Sequence, residues 1–444
     1  MIRHTIFTAL LLAAGAACAN MLDQSHRSQV AGIDLITYKT DVKDVVVILG
    51  SLPAGDAMAD TGNIATPTLL GMMLDRGTKN LDKFAIAELL DNVGAEIGFG
   101  VGTQSLEIHA KCLKKDLPMV IGLIAAQLRN PAFDGREFDK AKQQFIGGLE
   151  ASAQNTEVRA REAFNRAIFP QAHPNRPHTV TEYEAAAKSA TLDELKAFYA
   201  KYYGPAHLNL VIVGDVAAAA TAAEVAKAFS GWNGGRDYIR PAQRASPAGA
   251  RTVLVPLADK PSVSIILGQP TGLRYADPDG LALRVGTAIL GRGFTGRLMG
   301  TVRDQEGLTY NIGAAVAQDS ISDGSWDISA SFAPALLEKG LASTRRELDK
   351  WWKDGVTDQE LASRKQGLVG GYLVGLSTTA GLATAILTDV QRGYDLTWLD
   401  GYAAAVKALT REQVNSSIKN HLNASALVLI EAGSVGSPAE AIPR

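Results

Sequence analysis

The stretch GRGFTGRLMGTVRDQEGLTY (residues 291–310) sets Arg303 and Tyr310 on either side of Gly307, where a helix pattern gives way to a strand pattern. A guanidinium and a phenol are both hydrogen-bond donors. Brought together beside a cleft, they suit a carbonyl oxygen and the oxyanion it becomes when water attacks. The plainer reading stays open, in which Arg303 pairs with a surface acid and Tyr310 only packs. Two donors alone do not hydrolyse anything, so a nucleophile, a metal or a carboxylate pair has to be sought elsewhere in the chain.

The seven histidines are His4, His26, His109, His173, His178, His207 and His421, and no two stand at the i, i+4 spacing of a helical metal site. His173 and His178 lie in the loop PQAHPNRPHT, whose prolines point to turn geometry rather than metal binding. Glu107 and His109 share a strand face with no third ligand near them in sequence. There is no G-x-S-x-G elbow, phosphate-binding loop or dinucleotide fingerprint, and the Gly291–Gly296 cluster follows a helix pattern rather than a strand. Cys112, in HAKCLKK, reads as a small filler without named partners for nucleophilic chemistry. No self-sufficient catalytic set and no zinc site are predicted in this chain.

Lys and Arg total 44 against 46 acids, a net charge of −2, so no basic footprint points to nucleic acid or an anionic membrane. The opening MIRHTIFTALLLAAGAACAN has a basic start, a short apolar run and Ala17-Cys18-Ala19, the pattern of a secretory signal cut after Ala19. Export to the periplasm is therefore expected, with lipid attachment at Cys18 as the lesser alternative. Only two cysteines exist, one of them in that segment, so no disulfide framework is available. No segment is long and apolar enough to be read as a transmembrane helix.

The elements that would position Arg303 and Tyr310 are written twice. Thr191-Leu-Asp-Glu-Leu running on to HLNLVIVGD is echoed by Thr410-Arg-Glu-Gln-Val running on to ALVLIEAG, at the constant offset 410 − 191 = 433 − 214 = 219. FDGREFDKAKQQFIGGLEAS and VTDQELASRKQGLVGGYLVG are a second pair, each a capped amphipathic helix with a Gly-Gly at the same place. VVVILGSLPAGDA matches SVSIILGQPTGLRYA, and alternating strand pairs follow in each half. Each half thus reads β, α, ββ, α, α, α, β. The expected fold is α+β: two homologous layer-sandwich domains, each a mixed, largely antiparallel sheet with helices on one face, facing each other across a cleft. The boundaries expected are a signal at 1–19, a first domain at 20–232, a Gly/Pro-containing linker at 233–251 and a second domain at 252–444.

The 291–310 block resembles the second-domain signature of the pitrilysin/insulinase-like metallopeptidases, particularly bacterial members akin to the mitochondrial processing peptidase. Arg76-Gly77-Thr78 after the first helix and the duplicated layout extend the resemblance over nearly the whole mature chain. Active members carry His-x-x-Glu-His on that helix, with the histidines on zinc and the Glu as base. Counting back from Gly77-Thr78, the resemblance puts those positions at Thr68, Gly71 and Met72, and the third ligand at Gly148, with Gly147, Leu149 and Glu150 beside it. None of the main positions can ligate. The resemblance therefore implies no cofactor in this chain and a non-zinc subunit, whose homologous partner keeps the zinc motif. It also implies that Arg303 and Tyr310 bind the carbonyl of peptide substrates, and that Glu96, Ile97, Gly98 and Phe99 form a substrate-facing edge strand. Gly98 stands where the family usually has Asn. The alternative reading is an inert peptide-binding or structural scaffold of the same fold.

Overall fold

The computed structural model describes residues 21–59, 62–235 and 238–436; the expected signal segment and Cys18 lie outside them. In the first half, β1 (Ser25–Val30), β2 (Ile33–Lys39), β3 (Val45–Leu52), β4 (Glu96–Val101), β5 (Leu106–Leu113) and β6 (Asn209–Gly214) form one sheet in the order β1-β2-β6-β3-β5-β4. In the second, β7 (Arg251–Pro256), β8 (Val263–Pro270), β9 (Thr309–Ala317), β10 (Ser325–Phe332) and β11 (Val428–Gly433) order as β7-β11-β8-β10-β9. Only β2 with β6 and β7 with β11 run parallel, so both sheets are mixed and largely antiparallel.

The first half carries α1 (Thr66–Met73), α2 (Lys83–Asp91), α3 (Leu117–Arg129), α4 (Gly135–Ala153), α5 (Thr156–Ile168), α6 (Val180–Ser189), α7 (Leu192–Tyr202) and α8 (Ala218–Ala228). The second carries α9 (Gly280–Gly291), α10 (Leu337–Asp354), α11 (Asp358–Leu376), α12 (Thr379–Arg392), α13 (Thr397–Ala408) and α14 (Arg411–His421). Thr191 and Thr410 each close a capping box on the helix they precede. Each supplies an acceptor to an otherwise orphaned N–H, which is why the two echoes start at the same register. The strands that follow end at Gly214 and Gly433, with φ of +146° and +148°.

The element order departs from the expected one in several places. A hairpin, β1–β2, opens the first half and β7 opens the second, α2 and α8 are added in the first half, and five helices rather than three follow the strand pair in each half. The additional helices include α5 and α12, which leave their own halves. α5 packs on β8 and β11 of the second sheet, and α12 on β3 and β6 of the first. Each sheet therefore has its own helices on one face and a helix of the other half on the opposite one. This accounts for the unbroken apolar run of β6: Leu210 and Ile212 join the first half's core, while Val211 and Val213 pack with Leu382 and Ile386 of α12. On β5 the alternation survives, with Ile108, Ala110 and Cys112 buried and His109 and Lys111 exposed. The cleft between the halves is narrowed to cavities, one of about 590 Å³ between α5 and the β8–β10 surface.

Buried polar contacts tie the halves together. His173 and Asp323 have fully buried side chains 2.7 Å apart. The His173 Nδ1 accepts from the Asn175 N–H, so Nε2–H donates to Asp323, whose other oxygen accepts from the Ala245 N–H. Asn175 also donates to the carbonyls of Gln318 and Asp323, and Arg161 of α5 makes a bidentate pair with Asp327 at 2.7 and 2.9 Å.

Candidate functional site

α1 begins beside Pro67, whose fixed φ suits the first helical turn and whose missing N–H costs nothing there. Its Leu69, Leu70 and Met73 are buried, and Met72 packs partly buried against the same core. Thr68 points at Asp56: its hydroxyl donates to one carboxylate oxygen at 2.9 Å, and the Tyr183 phenol donates to the other at 3.2 Å. Burial outweighs those two bonds and pushes the Asp56 carboxyl up to about 6. At Gly71 a Cβ would sit 2.4 Å from Val101 of β4, so any side chain there must displace a stiff β-branched residue.

On α4, Gly147 and Gly148 face open space, Leu149 packs on the core and Glu150 is exposed. The two helices pack together, as a shared site would require. What joins them is Arg76, which donates to the Met72 carbonyl, to Glu137 at 3.2 Å and to Gln144 at 2.6 Å. Hydrogen bonds from Lys140 and Lys83 hold Glu137 at about 2. Zinc does not fit here: Thr68, Gly71, Met72 and Gly148 offer no carboxylate, imidazole or thiolate. Among the described residues no group of three or more His, Cys, Asp or Glu side chains could hold a metal ion. Cys112 is buried, and that burial raises its thiol to about 11, the opposite of an activated nucleophile.

Arg303 and Tyr310 are brought together. A π-helical turn (Met299–Gln305) runs through Glu306 into Gly307 with φ +63°, and β9 starts at Thr309. The Arg303 guanidinium lies 5.2 Å from the Tyr310 ring and 5.0 Å from the Phe294 ring, between two aromatic faces. Its carboxylate neighbour is Asp304, only at 3.7 Å. Tyr310 is 86% exposed and Phe294 71%, so the cluster looks outward. Among the described residues no hydrogen bond, ion pair or ring contact joins Arg303 or Tyr310 to α1 or α4.

The loop is fixed from behind. Arg297 makes a bidentate pair with Glu360 at the start of α11, and the Thr309 hydroxyl donates to the Ser331 carbonyl.

Glu96, Ile97, Gly98 and Phe99 lie on β4, the edge strand of the first sheet. Gly98 pairs with His109, and a Cβ at 98 would meet its Nε2 at 2.2 Å. The imidazole therefore covers the space where a side chain at 98 would project. β9 is the corresponding edge of the second sheet.

The His173–Asp323 link was not foreseen from PQAHPNRPHT. The turns expected there are present, as His173 N–H to Pro170 O and Arg176 N–H to His173 O. Asp323 lies 150 residues away, so no local spacing pairs it with His173.

Residues 189–368 match the family described as peptidase M16 inactive domain. A Helicobacter pylori protein named a non-peptidase homologue is 22% identical over 374 residues, covering 83% of this chain and 84% of that one. An uncharacterised zinc protease of Streptomyces coelicolor is 26% identical, over 80% and 79% of the two chains. The crystal structure of a peptidase M16 inactive domain from Pseudomonas fluorescens superposes with a TM-score of 0.85 at 22% identity, over 93% of this chain and 99% of that one.

Proposed function

Because the chain belongs to the pitrilysin-like peptidase M16 family and its metal positions are degenerate, we propose that it is the non-zinc subunit of a two-chain periplasmic peptidase. A homologous partner with an intact His-x-x-Glu-His supplies the zinc and its hydrolytic water. This chain supplies a wall of the substrate chamber, and Arg303 and Tyr310 donate hydrogen bonds to the scissile carbonyl oxygen as it gains negative charge. The observation that carries this reading is the outward-facing Arg303–Tyr310 pair: two donors, one phenol 86% exposed, with no metal-holding cluster among the described residues. Donors held in place before reaction stabilise developing charge without reorganisation. An edge strand at Glu96–Phe99 supports backbone pairing with an extended peptide, although the His109 ring over Gly98 narrows its outer face.

The test is reconstitution with a zinc-bearing homologous subunit and a fluorogenic peptide. Arg303→Ala and Tyr310→Phe should each lower turnover by about 10²–10³ while zinc content stays unchanged. Silence of both substitutions in the purified complex refutes the assignment. The second reading, an inert peptide-binding scaffold, is favoured by the name of the Helicobacter pylori relative. It predicts peptide binding without hydrolysis beside every zinc-bearing homologue.

A further inference from the structure

The duplication places a second cavity where the first half has its degenerate metal positions. In each half the helix after the entering strand packs on the edge strand and on a long glycine-bearing helix: α1 on β4 and α4, α9 on β9 and α11. The close approach repeats too, since a Cβ at Gly71 would meet Val101 of β4 and one at Gly291 would meet Ala314 of β9. Beside α9 this arrangement encloses about 430 Å³, walled by Arg284, Arg292, Arg392, Tyr275, Tyr402 and Leu368. That volume lies within the range of small-ligand sites.

Positive charge here exceeds its counter-charge. Among the described residues Arg284 has Asp319 as its acidic partner, and Arg392 has Asp389, at 3.8 Å. The two guanidiniums lie 4.1 and 3.5 Å from the centroid of the one Tyr275 ring. Among the described residues the exposed Arg292 has no acidic partner, and Arg364, just outside the cavity wall, donates to the Arg292 carbonyl and the Thr295 hydroxyl. Burial lowers Arg284 to about 10 and pushes Asp389 up to about 7, which makes Asp389 a weak counter-ion near neutrality. A partly desolvated cation cluster of this kind gains from an added anion, and guanidinium forks match a carboxylate. The tyrosine rings and Leu368 offer apolar wall to whatever carries that anion.

We propose that the cavity between α9, β9 and α12 is a carboxylate-binding site that takes a peptide by its C-terminal or side-chain carboxylate. The peptide-handling reading above enters only in the choice of probe, and the test uses the full chain without a zinc partner, so its failure is distinguishable from failure of that reading. Three probes are titrated calorimetrically: an N-acetylated alanyl-alanyl-phenylalanine with a free C-terminus, its C-terminal amide, and an amide with glutamate in place of the central alanine. Binding of the free acid about tenfold tighter than its amide supports a C-terminal carboxylate, and the same preference for the glutamate amide supports a side-chain source. Either must weaken about tenfold in Arg292→Ala, an exposed position whose truncation leaves the core intact, and must weaken in about 0.5 M salt. Equal binding of all three probes, no binding of any probe to about 5 mM, or unchanged affinity in folded Arg292→Ala and Arg392→Gln overturns the proposal.

Discussion

Asp56, the carboxylate that receives Thr68 and Tyr183 beneath the degenerate helix, gives a pH dependence that can be worked through. Its folded pKa is raised to about 6 from an ordinary value of 3.8 by burial, so the folded state holds this proton more tightly than the unfolded chain does. For a carboxyl shifted in this direction the stabilisation is fully present below the unfolded pKa and is lost as pH rises through the folded one. The full shift of 2.2 units corresponds to about 3 kcal/mol. Between pH 5 and pH 8 the two pKa values predict a loss of roughly 1.4 kcal/mol from this group alone. Asp56→Asn removes the titration and keeps an acceptor for the Thr68 hydroxyl, while its amide N–H can donate to the Tyr183 oxygen. Urea unfolding of both proteins at pH 5, 6, 7 and 8 should therefore show the wild type losing about 1.4 kcal/mol more than the variant across that range. Parallel stability curves would refute the assignment of a raised pKa to Asp56, and a steeper curve for the variant would reverse its sign.

Removing His173 as His173→Ala should destabilise the chain by about 3 kcal/mol in chemical denaturation, because Asp323 is left buried with the Ala245 N–H as its remaining donor. His173→Gln, which can still donate, should recover part of that loss. At the first sheet's edge, Gly98→Asn should destabilise through its collision with the His109 ring, and adding His109→Ala should restore most of the stability; additive effects in the double-mutant cycle would show that the two side chains do not compete.

Much of this architecture was legible from the chain. Capping threonines at a constant offset, matched Gly-Gly helices and matched strand runs announced two α+β halves, because caps and periodicity are local and survive duplication. The pairing of Arg303 with Tyr310 was legible for a similar reason, as seven residues across a helix-to-strand turn leave few relative placements. The blandness of Thr68, Gly71 and Met72 was also visible, since a residue without a carboxylate, imidazole or thiolate lacks it in any fold. The crossing of α5 and α12 to the opposite halves was not legible. Their periodicity shows that each has an apolar face but does not say which sheet the face will meet.

The sequence alone, then, determined the duplicated layout, the absence of zinc ligands at the expected positions and the presence of two donors at one turn. These follow from residue identity and local geometry. Only the tertiary structure decided that Thr68 is tied to Asp56 and Tyr183, that Arg76 bridges α1 and α4, that the His109 ring covers Gly98, and that four arginines converge near α9. Each of those contacts joins residues brought together by sheet order and helix crossing, and the burial that shifts Asp56 and Arg284 exists only once residues distant in sequence have packed around them.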